Sequence, residues 1–254
     1  MLPKELRPSV ETELVRVGPV GDGGYVIPEK VLNETALLYG LGVGVNWGFE
    51  KQFSEKSGAS VVCYDHTVTN GFWWKYFFNG IKRPLKGKSD IREIIRRIRR
   101  YKSYREFFDG KERIHKVEKI APRWQGGVEI ADLLEGVESH DVFLKLDIEG
   151  SEYDFLEQIR KFSRFLTGLV VEFHDVPEYR DMIVDFVRKL DMPLVHIHGN
   201  NCSGCDYNGD PRVIELTFKR RSVEDVENKN FCYPIKELDT PNKCDEDDLS
   251  LIFE

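Results

Sequence analysis

Several features are scarce in this 254-residue sequence, and each scarcity narrows the choice. Cysteine occurs five times, an odd number in a mid-sized chain, which does not read as a disulfide scaffold. No stretch approaches the ~18 uninterrupted apolar residues of a transmembrane helix. The opening MLPKELRPSV lacks the apolar centre of a secretory signal, so a cytoplasmic location is expected. Internal repeats and low-complexity tracts are missing too. Hydrophobic residues nevertheless make up 41% and aromatics 12%, enough for a sizeable core, which excludes global disorder. The length suits a single α/β domain over residues 1–254.

Charge is unevenly spread. The net value is −7, yet Lys82 to Arg123 holds 16 basic residues against 6 acidic ones. A tail from about 237 to 254 carries Asp245, Glu246, Asp247 and Asp248, expected as a solvated, fraying end.

Short β-rich apolar runs alternate with helical patterns. Strands are expected at Ala36–Leu41, Ser60–Asp65, Asp141–Ile148, Gly168–Phe173, Pro193–His198 and Arg212–Lys219. Helices are expected at Trp47–Lys56, Ile130–Leu134, Glu152–Phe162 and Tyr179–Leu190. The alternation predicts an α/β, mostly parallel, doubly wound sheet whose ligand sits at the carboxyl ends of the strands. From about 66 to 120 the chain behaves as a basic helical insertion after the second strand. It opens with six aromatics in Phe72–Phe78, which suit a sugar-stacking surface, an apolar wall or ordinary packing. It continues with a helix over Asp90–Phe108, capped by Asp90 and Glu93, with Ile91, Ile94, Ile95, Ile98 and Tyr101 as its apolar stripe. Arg92, Arg96, Arg97, Arg99 and Arg100 cover its other faces, either as a solvated surface or as a phosphate-binding one.

Two motifs point to chemistry. In the first, Gly40, Gly42 and Gly44 stand between a strand and a helix, in YGLGVGVN ending at Asn46. Glycines there permit a tight turn and let backbone N–H groups approach a cofactor. Asp65 ends the next strand, 21 residues after Gly44, where a carboxylate accepts bonds from an adenosine ribose. The spacing fits NAD and S-adenosylmethionine alike, and GxGxG leans toward the second. In the second motif, LKLDIEGSEYDFL, a buried strand ends in Asp147 and Glu149 before Gly150 opens a turn. A helix cap explains Ser151 and Glu152 but not Asp147, inside the strand's end.

LKLDIEGSEYDFL resembles the signature of the FkbM family of S-adenosylmethionine-dependent methyltransferases. The resemblance extends to LVVEFHD (Leu169–Asp175), HIHGNN (His196–Asn201) and GDGGYVIP (Gly21–Pro28). It implies a Rossmann-like class I methyltransferase fold that methylates hydroxyl oxygens, commonly on sugars, glycans or polyketides. It further implies that Gly40, Gly42, Gly44, Asn46, Asp65 and His66 line the cofactor, with Asp147 near the transferring methyl. Asp22, Gly23, Gly24 and Tyr25 match the upstream element and would close over the cofactor's methionine portion.

An alcohol needs a general base or a metal to attack a methyl group near neutral pH. Asp147, His174 and His198 are the candidate catalytic groups. Asp147, Glu172 and His174 form an alternative ligand set for Mg²⁺ or Mn²⁺. His196 is expected deeper than His198 and structural. Glu149, Glu172, Asn200 and Asn201 are candidates for acceptor binding, with a polar turn as the plainer role of the two asparagines. Cys202 and Cys205 form a CxxC, but Cys232 and Cys244 match no compact zinc knuckle, so the pair is assigned to the acceptor loop. The expected acceptor is a sugar or glycan hydroxyl, which could also bear phosphate. Methylation of nucleic acid through the basic insertion is the less expected alternative, and a non-catalytic adenosine-binding module is a third.

Overall fold

The computed structural model describes residues 1–82, 91–108, 111–137, 140–229 and 232–254. All six expected strands form: β4 (Leu37–Leu41), β5 (Ser60–Tyr64), β7 (Val142–Leu146), β8 (Leu166–Phe173), β9 (Leu194–Gly199) and β10 (Ile214–Lys219). With β6 (Arg113–Lys116) they lie in a seven-stranded sheet of order β6-β5-β4-β7-β8-β10-β9, of whose strands only β10 runs against its neighbours. That order, a central β4 with parallel strands wound to both sides and one reversed strand inserted near an edge, is the Rossmann-like class I methyltransferase topology. The expected helices form as α2 (Gly48–Ser57), α5 (Ile130–Leu134), α6 (Leu156–Phe162), preceded by a 3₁₀ turn at Glu152–Phe155, and α7 (Val176–Lys189).

The seventh strand, β6 (Arg113–Lys116), corrects the expected insertion. It pairs in parallel with β5 and forms the sheet edge, so the end of the 66–120 segment belongs to the sheet. The inserted part is the helical pair α3 (Asn70–Lys82) and α4 (Ile91–Phe107). Asp90, the expected cap of α4, lies outside the described residues. A further hairpin, β2 (Leu14–Val17) with β3 (Tyr25–Pro28), packs at the N-terminal side, joined to the sheet by the Thr217 hydroxyl donating to the Val26 carbonyl.

Period-two alternation sorts the central strands between two cores. Leu144, Leu146, Leu169, Val171, Phe173, Ile197, Ile214, Leu216 and Phe218 meet α5, α6 and α7 on one face. Phe143 and Val170 meet Phe49 and Phe53 of α2 and the β3 hairpin on the other. By the same parity Lys145, Glu172, His196, His198, Glu215 and Thr217 fall on the second face, all buried. Register aligns Glu172 with Glu215 and Glu215 with His198 across three strands. A polar stripe therefore crosses the sheet beneath the N-terminal hairpin.

The acidic tail caps the rest of that stripe and is not a fraying end. Asp239 meets His196 at 3.1 Å, Asn242 donates to Glu215 at 2.8 Å, and Asp248 meets His198 at 2.9 Å. Leu251 is buried and bridges Tyr233, and Phe253 bridges Leu2. These contacts hold the tail because buried polar groups on the sheet need partners.

Candidate active site

At the carboxyl end of β4 the chain turns through Gly42, Val43 and Gly44. The backbone φ is +78° at Gly42 and +53° at Gly44, a region that side chains disfavour. A Cβ at Gly42 would lie 1.6 Å from the Asp147 carbonyl oxygen, so only glycine lets this turn pass the end of β7. At Gly44 the same position faces open space. The Gly44 N–H instead donates to Oδ2 of Asp65 at 2.6 Å. Oδ1 of Asp65 accepts the Thr67 N–H at 2.7 Å and its hydroxyl at 2.6 Å. Burial raises the Asp65 pKa, but these bonds from Thr67 and Gly44 outweigh it and keep the carboxylate below its usual range.

These turns enclose a cavity of about 400 Å³, within the range of small-molecule sites. Gly42, Val43, Gly44, Val45 and Asn46 line it, with Asp65, His66 and Thr67 from the end of β5. Asp147, Ile148, Glu149 and Ser151 line it from the end of β7, and Asp22 and Gly23 from the loop before β3. The remaining wall is Tyr64, Lys145, Glu118, Lys119 and Ile120.

Charge is concentrated behind Asp147. The Tyr25 hydroxyl lies 3.2 Å from Oδ2 of Asp147 and 2.9 Å from Oε2 of Glu172. Lys145, fully enclosed, donates to the Gly42 carbonyl at 3.1 Å and stands 3.5 Å from Asp147 and 3.7 Å from the buried Glu50. Burial opposes the Lys145 charge, and the carboxylates of Asp147, Glu50 and Glu172 overcome it, holding the ammonium protonated. Burial, with the charges of Asp147 and Glu215, pushes Glu172 well above the usual carboxylate range.

At the end of β8, Asp175 has φ +51°, and across the site Glu149 has φ +55°. His174 lies between two carboxylates, with Nδ1 3.2 Å from Glu152 and Nε2 3.6 Å from Glu149. Burial lowers its pKa, but the Glu152 hydrogen bond and the charges of Glu152, Glu172 and Asp147 raise it to about 9.

Of the expected cofactor residues, Asp22, Gly23, Gly42, Gly44, Asn46, Asp65, His66 and Asp147 share this cavity. Three do not line it. A Cβ at Gly40 would meet Glu50, one at Gly24 would meet the Pro19 carbonyl, and Tyr25 acts from behind Asp147. The other assignments need more correction. Glu172 is not a cavity ligand, because its oxygens take the Tyr25 hydroxyl and the Asn200 amide, the latter at 2.8 Å, inside the protein. Asn200 is committed to that bond, and Asn201 donates to the Lys243 and Asp247 carbonyls of the tail. His198 is no free base either. It is buried between Glu215 at 3.3 Å and Asp248 at 2.9 Å, which raise its pKa to about 10 against the effect of burial. His196 is buried, with Nε2 3.1 Å from Asp239. Among the described residues, donor atoms of Asp147, Glu149 and His174 lie within 4.8 Å of one another, and Glu172 is not part of that cluster.

Sequence reasoning missed Lys145 and the Glu118–Ile120 wall. A lysine inside the otherwise apolar run VFLKL was the available signal for the first. The second was hidden by reading β6 as insertion.

Residues 110–200 match the Methyltransferase FkbM domain. Over that segment the chain is similar to the FkbM methyltransferase family. The activity this match supports is methyl transfer from S-adenosylmethionine, and the strand order is compatible with it. The matched FkbM segment contains β6, the Glu118–Ile120 wall, Asp147, Glu149 and His174, and stops short of the glycine turn. No curated protein matches the sequence. Among solved structures, the chain is similar to a putative sarcosine dimethylglycine methyltransferase from Galdieria sulphuraria, at 10% identity and a TM-score of 0.41, over 75% of this chain and 80% of that one. It is also similar to an rRNA methylase from Streptococcus thermophilus, at 11% identity and a TM-score of 0.38, over 76% of this chain and 91% of that one. TYW2 from M. jannaschii in complex with AdoMet is similar at 11% identity and a TM-score of 0.35, over 84% of this chain and 90% of that one.

Proposed function

We propose that this protein transfers the methyl group of S-adenosylmethionine to a hydroxyl oxygen of a sugar or glycan. The observation that carries the reading is that Asp147 and Glu149 open onto the same cavity as the glycine turn.

The cavity fits an adenosine cofactor. Gly42 lets the turn pass the end of β7, Gly44 leaves open space where a side chain would stand, and Asp65 presents a carboxylate at the end of the neighbouring strand. A carboxylate has about four acceptor positions. Gly44 and Thr67 use three of those on Asp65, so a ribose hydroxyl takes the last or displaces the Gly44 N–H. Bound there, S-adenosylmethionine supplies an electrophilic methyl on a sulfonium.

The chain's own groups then position the acceptor. Tyr25 and Lys145 fix Asp147 from behind, so that it accepts a hydrogen bond from the acceptor without reorganising. Glu149, whose side chain is 88% exposed, is placed to take the hydroxyl proton. His174 is charged at neutral pH with its pKa near 9, and orients Glu149 as a positioning group in this reading. Carboxylates at the reacting end favour a neutral, hydroxyl-rich acceptor and repel a phosphate there.

A second reading follows from the 4.8 Å cluster of Asp147, Glu149 and His174 donor atoms. These oxygen and nitrogen ligands suit Mg²⁺ or Mn²⁺, which would lower the pKa of the acceptor hydroxyl.

The test is calorimetric titration with S-adenosylhomocysteine, with and without chelator, followed by labelled methyl transfer to a panel of sugars and glycans. Saturable binding with sugar methylation is expected. Binding with methylation of RNA alone would overturn the acceptor class. Activity lost in chelator and restored by Mg²⁺ would select the metal reading.

A further inference from the structure

The inserted helices α3 and α4 pack as an antiparallel pair. Trp73 lies 5.1 Å from Tyr101 and 5.0 Å from Tyr104 by ring centroid, and the Arg97 guanidinium covers the Tyr76 ring at 4.3 Å. The next residue along each helix turns by ~100°. Because the helices run in opposite directions, Trp74 and Phe78 on α3 and Ile95 and Ile98 on α4 emerge on the same side of the pair. All four are exposed, at 66%, 52%, 43% and 53%. Ile95 and Ile98, two of the five residues of the apolar stripe expected on α4, therefore face outward, while Arg97 takes a place in the packed seam, only 11% exposed. Around this patch Arg92, Arg99, Lys102 and Arg105 are exposed along α4, with Lys102 paired to Glu106 at 3.7 Å, whereas Arg96 and Arg100 face the other side of the pair.

We propose that this side of the α3–α4 pair is a docking surface for an anionic lipid bilayer. Exposed tryptophan, phenylalanine and isoleucine flanked by arginines are the groups that enter the boundary between headgroups and acyl chains. The arginines complement anionic headgroups within a Debye length. Nucleic acid would use the arginines but leave Ile95 and Ile98 without a purpose, since aliphatic side chains offer bases no stacking face. Trp74 and Phe78 already stack on each other at 5.8 Å and 22°. A second copy of the chain would bring two arginine-rich helices together, and like charges oppose that. No described helix is long and apolar enough to cross a membrane, so the contact is peripheral. The α3 helix begins at Asn70, three residues after Thr67 of the cavity wall, so a docked bilayer would lie beside the site. The proposal does not depend on which acceptor is methylated.

The experiment is flotation of the full chain with vesicles of phosphatidylcholine alone or with about 30% phosphatidylglycerol, at an ionic strength of about 0.15 M. Wild type is compared with the exposed double variant Trp74→Ser/Phe78→Ser, and circular dichroism confirms that both are folded. Partition into the anionic vesicles is expected to exceed that into neutral ones by about tenfold or more, and to fall by about tenfold in the variant. No preference for anionic vesicles would overturn the proposal, as would binding that the variant leaves unchanged. Sedimentation and a filter-binding assay with single-stranded RNA complete the test. Vesicle binding absent beside self-association or RNA binding that the double variant abolishes would assign the patch to that partner instead.

Discussion

The hydroxyl of Tyr25 lies 2.9 Å from Oε2 of Glu172, 147 positions away in sequence, tying the N-terminal hairpin to the end of β8. The same hydroxyl reaches Asp147. Tyr25→Phe therefore leaves Glu172 Oε2 buried without its donor, at a cost of about 1–3 kcal/mol. Denaturant unfolding should show that loss. Methyl transfer should fall further than S-adenosylhomocysteine affinity, because Asp147 loses its orientation.

Gly42 and Gly44 share a motif but should respond differently to the same substitution. Gly42→Ala drives a Cβ into the Asp147 carbonyl and should abolish cofactor binding and lower the melting temperature. Gly44→Ala meets no neighbour within 4 Å and is strained only by its φ of +53°, so it should keep the fold with a much smaller drop in melting temperature than Gly42→Ala, and bind more weakly. Calorimetry and thermal unfolding on both variants separate the two. Equal melting temperatures would contradict the close approach at Gly42.

Asp65→Ala removes three hydrogen bonds that hold the Gly44 and Thr67 turns. Binding of S-adenosylhomocysteine should weaken by about tenfold or more, on the order of 1.4 kcal/mol. Unchanged affinity would remove Asp65 from the cofactor site.

Asp147→Asn keeps the size of the side chain and removes its charge. Methyl transfer should drop by about a hundredfold or more if Asp147 orients the acceptor. Affinity for S-adenosylhomocysteine should change far less, which single-turnover assays and calorimetry would check together.

His198 predicts how the tail responds to pH. Burial lowers its pKa, and the hydrogen bonds to Asp248 and Glu215 outweigh that, raising it to about 10. A pKa raised by folding contributes stability that is complete below the ordinary histidine value of about 6.5 and declines as pH rises through the folded-state value. Between about pH 7 and pH 10, wild type should lose more melting temperature than His198→Gln. Parallel curves for the two proteins would sink this account of the ion pair.

Much of the fold and part of the site could be read from sequence because they rest on local chemistry. Six apolar runs announced six strands of the main sheet, and the glycine turn with Asp65 21 residues beyond Gly44 announced two strand ends that meet, the Gly44 N–H donating to Asp65. Parity along each strand also put His196 and His198 on one face. Four strand-borne charges, Lys145, Glu172, His198 and Glu215, depended on register and cover, which no local pattern encodes. Glu172 became a buried partner of Tyr25, and His198 a partner of Asp248, 50 positions on. The edge strand β6 escaped notice because RIHK is short, charged and only partly buried. The stripe on α4 shows the same division. Its helical periodicity is a property of the sequence, whereas the choice between Arg97 and Ile98 for the packed seam was made by α3, whose Tyr76 and Trp73 could be covered only by the residues facing them.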